Sequence, residues 1–198
     1  MLFMLGIILD VVAVIAVLVV LILIGTFVSI YNVLVTLSNN VKKAWADIDV
    51  LLEKRHDMLG KLMDTVSGYA KYERSVLTQV TKARTAWMGA QKGTVQNKID
   101  ASNQISTALK SIFAVAENYP DLKADNNFMQ LQQAITGIES QIADSREYYN
   151  DAVNSFNIRI QQIPYNIFAG MLHYTPQPLF KASEEEKQDV KIQFDTGS

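Results

Sequence analysis

The pair Glu53 and His56 is the first spacing in this chain that could do chemistry. A carboxylate and an imidazole three residues apart face the same side of a helix, and carboxylate-bridged di-metal sites in bundles use two such pairs plus further glutamates. The second pair is missing. The other histidine, His173, has no glutamate three residues before it. A polar surface or interhelix contact is therefore the expected role of this pair. Nucleophilic catalysis needs a serine or threonine beside a base that a third group holds. Asp49 or Glu53 could hold His56, but no Gly-x-Ser-x-Gly turn presents a nucleophile and no glycine-rich loop cradles phosphate. With no cysteine, disulfides, thiolate metal sites and thiol catalysis are excluded. The sequence leads to a non-enzymatic protein with no catalytic, cofactor-binding or metal-binding residue to name.

The remaining polar residues of interest are interhelix candidates: Asp47, Asp49, Arg55 and Asp57 on a first helix, Arg84 on a second, and Arg146 on the last. Arginine forks suit carboxylates. One expectation is that Arg84 or Arg146 pairs with Asp47, Asp49 or Asp57 across the bundle or between subunits. The bland alternative is a set of independently solvated faces, since exposed pairs contribute little. With 18 Lys plus Arg against 20 Asp plus Glu, the near-neutral balance gives no electrostatic footprint for nucleic acid.

The elements that must position these residues begin with an anchor. From Val11 to Ile30 only Thr26 and Ser29 carry a polar side-chain group. A bilayer core of about 30 Å needs roughly 20 apolar residues in a helix. Val11, Ile15, Leu18, Leu21, Ile24, Phe27 and Ile30 are the expected anchor residues. Asp10 either marks an interface or is buried against a partner helix, because an intramembrane acid is costly unless satisfied. A cleaved signal peptide fits less well, since no basic residue precedes the apolar run and Gly25–Ser29 is a poor cleavage site. Lys42 and Lys43 follow the span and none precedes it, which places the domain in the cytoplasm.

Beyond Ile30 the pattern becomes periodic. Leu34, Leu37, Val41, Ala44, Ile48 and Leu51 form one stripe, interrupted at Gly60. Leu62, Val66, Tyr69, Val76, Val80 and Trp87 suggest a further helix to about Ala90, ended by Gly89 and Gly93. Val95, Ile99, Ile105, Leu109, Ile112 and Ala116 make a third, stopped before Pro120. Phe128, Leu131, Ile135, Ile138, Ile142, Ser145, Tyr149, Ala152, Phe156 and Ile160 make the last, stopped by Pro164. Their near three–four repeat is the seam of a coiled-coil-like bundle. The fold expected is all-α: an N-terminal transmembrane helix, then an antiparallel bundle of about four long helices. The organisation expected is an anchor over 1–30, a bundle over 31–174 and a tail over 175–198. In that tail Val190, Ile192 and Phe194 alternate as in a short edge strand.

The uncharged segment holding Ile163, Tyr165, Phe168, Met171, Leu172 and Tyr174 is the most informative surface feature. Four helices in up–down order return it to the membrane, where Tyr and Phe sit at the headgroup level. If the first two helices are one rod, about 60 residues span roughly 90 Å. The segment then ends far from the bilayer and contacts another subunit. Burial in its own domain is the third reading.

The chain resembles the LemA family of bacterial membrane proteins. The resemblance rests on Tyr31–Val35, Asn40–Val50, Arg55-His56-Asp57, Gly68-Tyr69-Ala70, Ala83-Arg84, Phe128–Leu131, Arg146–Asn150, Val153–Pro164 and Lys191–Phe194, in that order. One departure concerns a turn: such chains commonly carry Ile-Pro-Asn where this one reads Leu59-Gly60-Lys61. The resemblance implies a single-pass bacterial membrane protein with an antiparallel helical domain, and no defined catalytic mechanism. By analogy with a magnetosome-linked member, it implies building or shaping membranes. The partners expected are the lipid bilayer and further copies of the chain, or else another membrane protein to which the bundle is presented as an adaptor or sensor.

Overall fold

The computed structural model describes residues 2–69 and 73–181, with side chains at 7, 9–69 and 73–181. Six helices follow one another among the described residues: α1 Leu2–Tyr69, α2 Arg74–Ala90, α3 Val95–Ala116, α4 Pro120–Lys123, α5 Asn126–Arg159 and α6 Tyr165–Met171. No strand occurs among the described residues. The expected alternation at Val190, Ile192 and Phe194 lies outside them.

The bundle helices follow the three–four spacing of their apolar residues. On α1 the buried positions are Ile30, Leu34, Ser38, Val41, Ala44, Ile48, Leu52, Arg55, Leu59, Leu62 and Val66. The seam thus runs through Ser38 and Leu52, while Leu37 and Leu51 are half-buried at its side. On α5 it runs through Phe128, Ile135, Ile138, Ile142, Tyr149, Val153 and Phe156. Thr94 caps α3 in a reciprocal box with Asn97. Asp125 precedes α5 and accepts from the Phe128 N–H at 2.9 Å and from the Tyr69 hydroxyl at 2.9 Å. These two bonds, the backbone one first, hold the Asp125 carboxyl below its usual pKa.

One boundary differs from the expected one. The first bundle helix does not stop at Gly60 but continues to Tyr69, so Leu62, Val66 and Tyr69 belong to α1. Glycine in a helix interior costs roughly 1 kcal/mol relative to alanine, and Leu59 and Leu62 beside it are fully buried. Packing outweighs the local preference.

The chain gathers into two compact units. Unit 1 holds residues up to Lys43 together with Asp151–Gln177; unit 2 holds Ala44–Asn150 and the chain from Pro178 onward. In unit 1, Ile30, Leu34, Ser38 and Val41 are buried on α1, with Val153, Phe156, Ile160 and Ala169. In unit 2 the largest fully buried side chains are Trp87, Arg55, Tyr149 and Phe128.

Candidate functional site

Arg55 occupies a position in the apolar repeat of α1, between Leu52 and Leu59, and is fully buried. Its guanidinium ties three helices of unit 2 together. Nη1 donates to both Glu139 carboxylate oxygens, at 2.7 and 3.0 Å, and to Ser106 Oγ at 2.9 Å. Nη2 donates to the Ser102 carbonyl at 2.9 Å and to its Oγ at 2.6 Å. Burying a cation in a seam is tolerable only with such a set of acceptors, because desolvation is otherwise too costly. Two small residues on α3, Ser102 and Ser106, make room for the fork and also supply its oxygens. Glu139, about one-third exposed, reaches the pair from α5.

A groove of about 280 Å³ opens beside this hub. Ser106, Leu109, Lys110 and Phe113 line it from α3, and Ile135, Thr136 and Glu139 from α5. Its lining is mainly apolar. That arrangement suits an inserted apolar side chain better than a reacting group.

The other polar residues singled out from sequence fall around unit 2. Asp49 receives Lys98 at 2.6 and 2.7 Å, linking α1 to α3. Asp47 is exposed. The Arg84 guanidinium lies against Gly60, where a Cβ would stand 3.3 Å from Nη2. Arg146 lies 4.4 Å above the ring of Phe180. His56 Nδ1 stands 3.3 Å from Asp57 Oδ1, and the imidazole stacks on Trp87 at 6.3 Å between centroids. Glu53 is exposed, and among the described residues no group of three or more His, Asp or Glu side chains is placed to hold a metal.

The asparagines of α5 take a role that no sequence rule announced. In unit 1 Asn157 pairs with Gln177 in both directions, its Oδ1 accepting the backbone N–H at 2.8 Å and its Nδ2 donating to the carbonyl at 2.9 Å. In unit 2 Asn150 does the same with Phe180, at 2.8 and 3.1 Å. Each amide imitates a neighbouring strand for a non-helical segment that has none. Tyr149 adds a bond from its hydroxyl to the Pro178 carbonyl at 2.9 Å and meets Trp45 edge to face at 5.5 Å. Burial pushes the Tyr149 pKa up to about 12 from 10.0. A raised folded-state pKa means its stabilising contribution is complete below the unfolded value. It is lost as pH rises from about 10 to about 12. Urea midpoints measured across that window are expected to fall for the natural chain and to fall less for Tyr149→Phe.

Unit 1 carries the stretch expected as an anchor. Val11, Ile15, Leu18, Leu21, Ile24 and Phe27 are exposed, Asp10 is exposed before them, and Ile30 is the first buried residue among those described. The stretch is long and apolar enough to cross a membrane, and it is exposed up to Ser29. Phe168 of α6 meets Phe27 edge to face at 5.3 Å. Tyr174 meets Phe156 at 5.5 Å, and Arg159 lies 4.7 Å above the Tyr165 ring. On the other side of α6, Ile163, Ile167, Met171 and Leu172 are exposed. α1, to Tyr69, and α2, from Arg74, are separate helices, so the single rod through the first two expected helices does not form. Within unit 1, the Phe27–Phe168 contact sets α6 beside the last turn of the apolar stretch.

These features define an all-helical bundle protein with one helix fit to span a membrane. The chain belongs to the LemA family, which it matches over residues 44–194. It is 29% identical to Protein LemA of Metamycoplasma hominis over 171 residues, covering 84% of this chain and 78% of that protein. It is 26% identical to Magnetosome protein MamQ 2 of Paramagnetospirillum magneticum over 180 residues, covering 79% of this chain and 66% of that one. With Magnetosome protein MamQ of Magnetospirillum gryphiswaldense it shares 21% identity over 170 residues, covering 74% of this chain and 62% of that protein.

Proposed function

We propose that this protein is a single-pass, non-enzymatic structural protein of a bacterial membrane, a homo-oligomeric scaffold that organises or shapes its bilayer. The observation that carries this reading is the apolar stretch Val11–Ile30, fully exposed up to Ser29 and leading without a break into the packed positions Ile30, Leu34, Ser38 and Val41. An exposed apolar cylinder of this length needs lipid around it. Phe27 is also part of the packing of unit 1 through Phe168. Removing the span as a leader would strip that contact, which supports a retained anchor. Lys42 and Lys43 after the span support a bundle on the cytoplasmic side. The name of the MamQ relatives, magnetosome proteins, supports a link to a membrane-bounded structure.

An adaptor reading draws on a different observation, the mainly apolar groove between α3 and α5, of a size to take a side chain from a foreign membrane protein. Electron microscopy of the full-length protein extracted gently in native lipid separates the two. The scaffold predicts rings, lattices or reshaped vesicles. Dispersed monomers or dimers in flat membrane count against it and favour the adaptor.

A further inference from the structure

We propose that α6 is an interfacial membrane helix, lying in the headgroup–acyl boundary of the leaflet on the bundle side and dipping Ile163, Ile167, Met171 and Leu172 into lipid. The proposal rests on the reading above that Val11–Ile30 crosses a bilayer, and adds a second lipid contact of a different kind.

The spacing of α6 gives it two apolar faces. Phe168 and the buried Ala169 turn toward unit 1, where Phe168 rests on Phe27. Within α6, Ile167 and Met171 are four residues apart and share one side, 60% and 66% exposed, and Ile163, in the turn before Pro164, is 82% exposed. No formally charged side chain occurs between Ile163 and Leu172. An uncovered apolar face on a short helix is ordinarily a liability in water.

The level of the helix identifies what covers that face. Phe27 lies three residues before Ile30, about 4.5 Å from the end of the apolar stretch at the rise of an α-helix. Phe168 therefore stands beside the last turn of the span, at the depth where interfacial helices bury their apolar side. The Phe27–Phe168 contact sets α6 beside a surface that already requires lipid. The polar tips suit the same level. Tyr165 is half-buried under the Arg159 guanidinium, and an amphipathic ring beside a cation belongs at the headgroups. A second copy of the chain or a foreign protein lacks this argument from depth.

The absence of cysteine makes the test direct. Ile167→Cys and, separately, Met171→Cys are labelled with a nitroxide in the full-length protein, reconstituted in phosphatidylethanolamine–phosphatidylglycerol vesicles. Collision with oxygen and with a water-soluble nickel chelate is read by electron paramagnetic resonance. Leu21→Cys is the lipid reference and Lys61→Cys the aqueous one. The expected result is a shift of the oxygen-to-chelate ratio at 167 and 171 away from the Lys61 value and toward that of Leu21. A ratio like that of Lys61 overturns the proposal. So does a label shielded from both reagents, which means that protein covers the face. If the label at Leu21 itself reads as aqueous, the anchor reading has failed; if only 167 and 171 do, the interfacial helix alone is lost.

Discussion

Replacing Arg55 with alanine is expected to destabilise the bundle by about 3–5 kcal/mol, the usual cost of removing one member of a buried charged network. Three helices lose their common tie at once. Ser102 and Ser106 lose their donor in a site without exposure, and the volume of the guanidinium becomes a void. Glu139→Ala is expected to fall in the same range for a different reason. It leaves a fully buried cation with serine oxygens alone, a desolvated charge without its counter-ion. The two losses are not additive. In Arg55→Met the seam regains an apolar side chain of similar length, and Glu139, about one-third exposed, can take up water. The Arg55→Met, Glu139→Gln double variant is therefore expected to lie above Glu139→Ala. A coupling of about 0.5–3 kcal/mol between the two sites is expected from a cycle of single and double variants. Urea unfolding of the full chain in detergent, followed by circular dichroism, measures it. A coupling near zero means that the pair is held by the serines and the backbone alone.

The hub also shows why part of this protein is legible in its sequence and part is not. Periodicity exposes the helices because a buried stripe is a repeating physical demand, and Ile48, Leu59 and Leu62 satisfy it as any apolar residues do. Arg55 answers the same demand with a charge. Read by residue type it joins the polar surface; read by position it falls in the three–four repeat. The opposing Ser102 and Ser106, on the stripe of α3 between Ile99 and Ile112, are the signal that the fork has room. The choice of partner was beyond reach: Asp49 takes Lys98 and Arg55 takes Glu139 across sequence separations that only topology closes. The apolar helix fit to span a membrane was legible because the bilayer sets a length and a composition. The bidentate use of Asn150 and Asn157 was not, since an asparagine that props a non-helical segment has no sequence period. The uncharged stretch after Pro164 was visible as unusual, but its place beside Phe27 is set by a contact that sequence spacing does not show.

Gly60→Pro is expected to cost about 3 kcal/mol or more, the penalty for proline in a helix interior. The resemblance to LemA-like chains makes this substitution pointed, because they commonly carry a proline at the corresponding step. Here α1 runs unbroken through Gly60 to Tyr69. A proline at 60 removes the bond to the His56 carbonyl and presses its ring against that group. Bending α1 there disturbs the His56–Trp87 stack on one side and the Arg55 fork one residue further back. Gly60→Ala separates backbone geometry from space. The atoms an added Cβ meets first are those of the Arg84 guanidinium, at 3.3 Å to Nη2 and 3.4 Å to Cζ. That is the far end of a flexible side chain, which can shift by a few tenths of an ångström. Alanine also gains about 1 kcal/mol of helix propensity over glycine. The alanine variant is expected to match or slightly exceed the natural chain in urea midpoint, while the proline variant falls well below it and loses hydrogen-exchange protection around His56. If instead alanine destabilises as much as proline, the seat of Arg84 on bare backbone matters more than the continuity of α1, and glycine at 60 is selected for that contact.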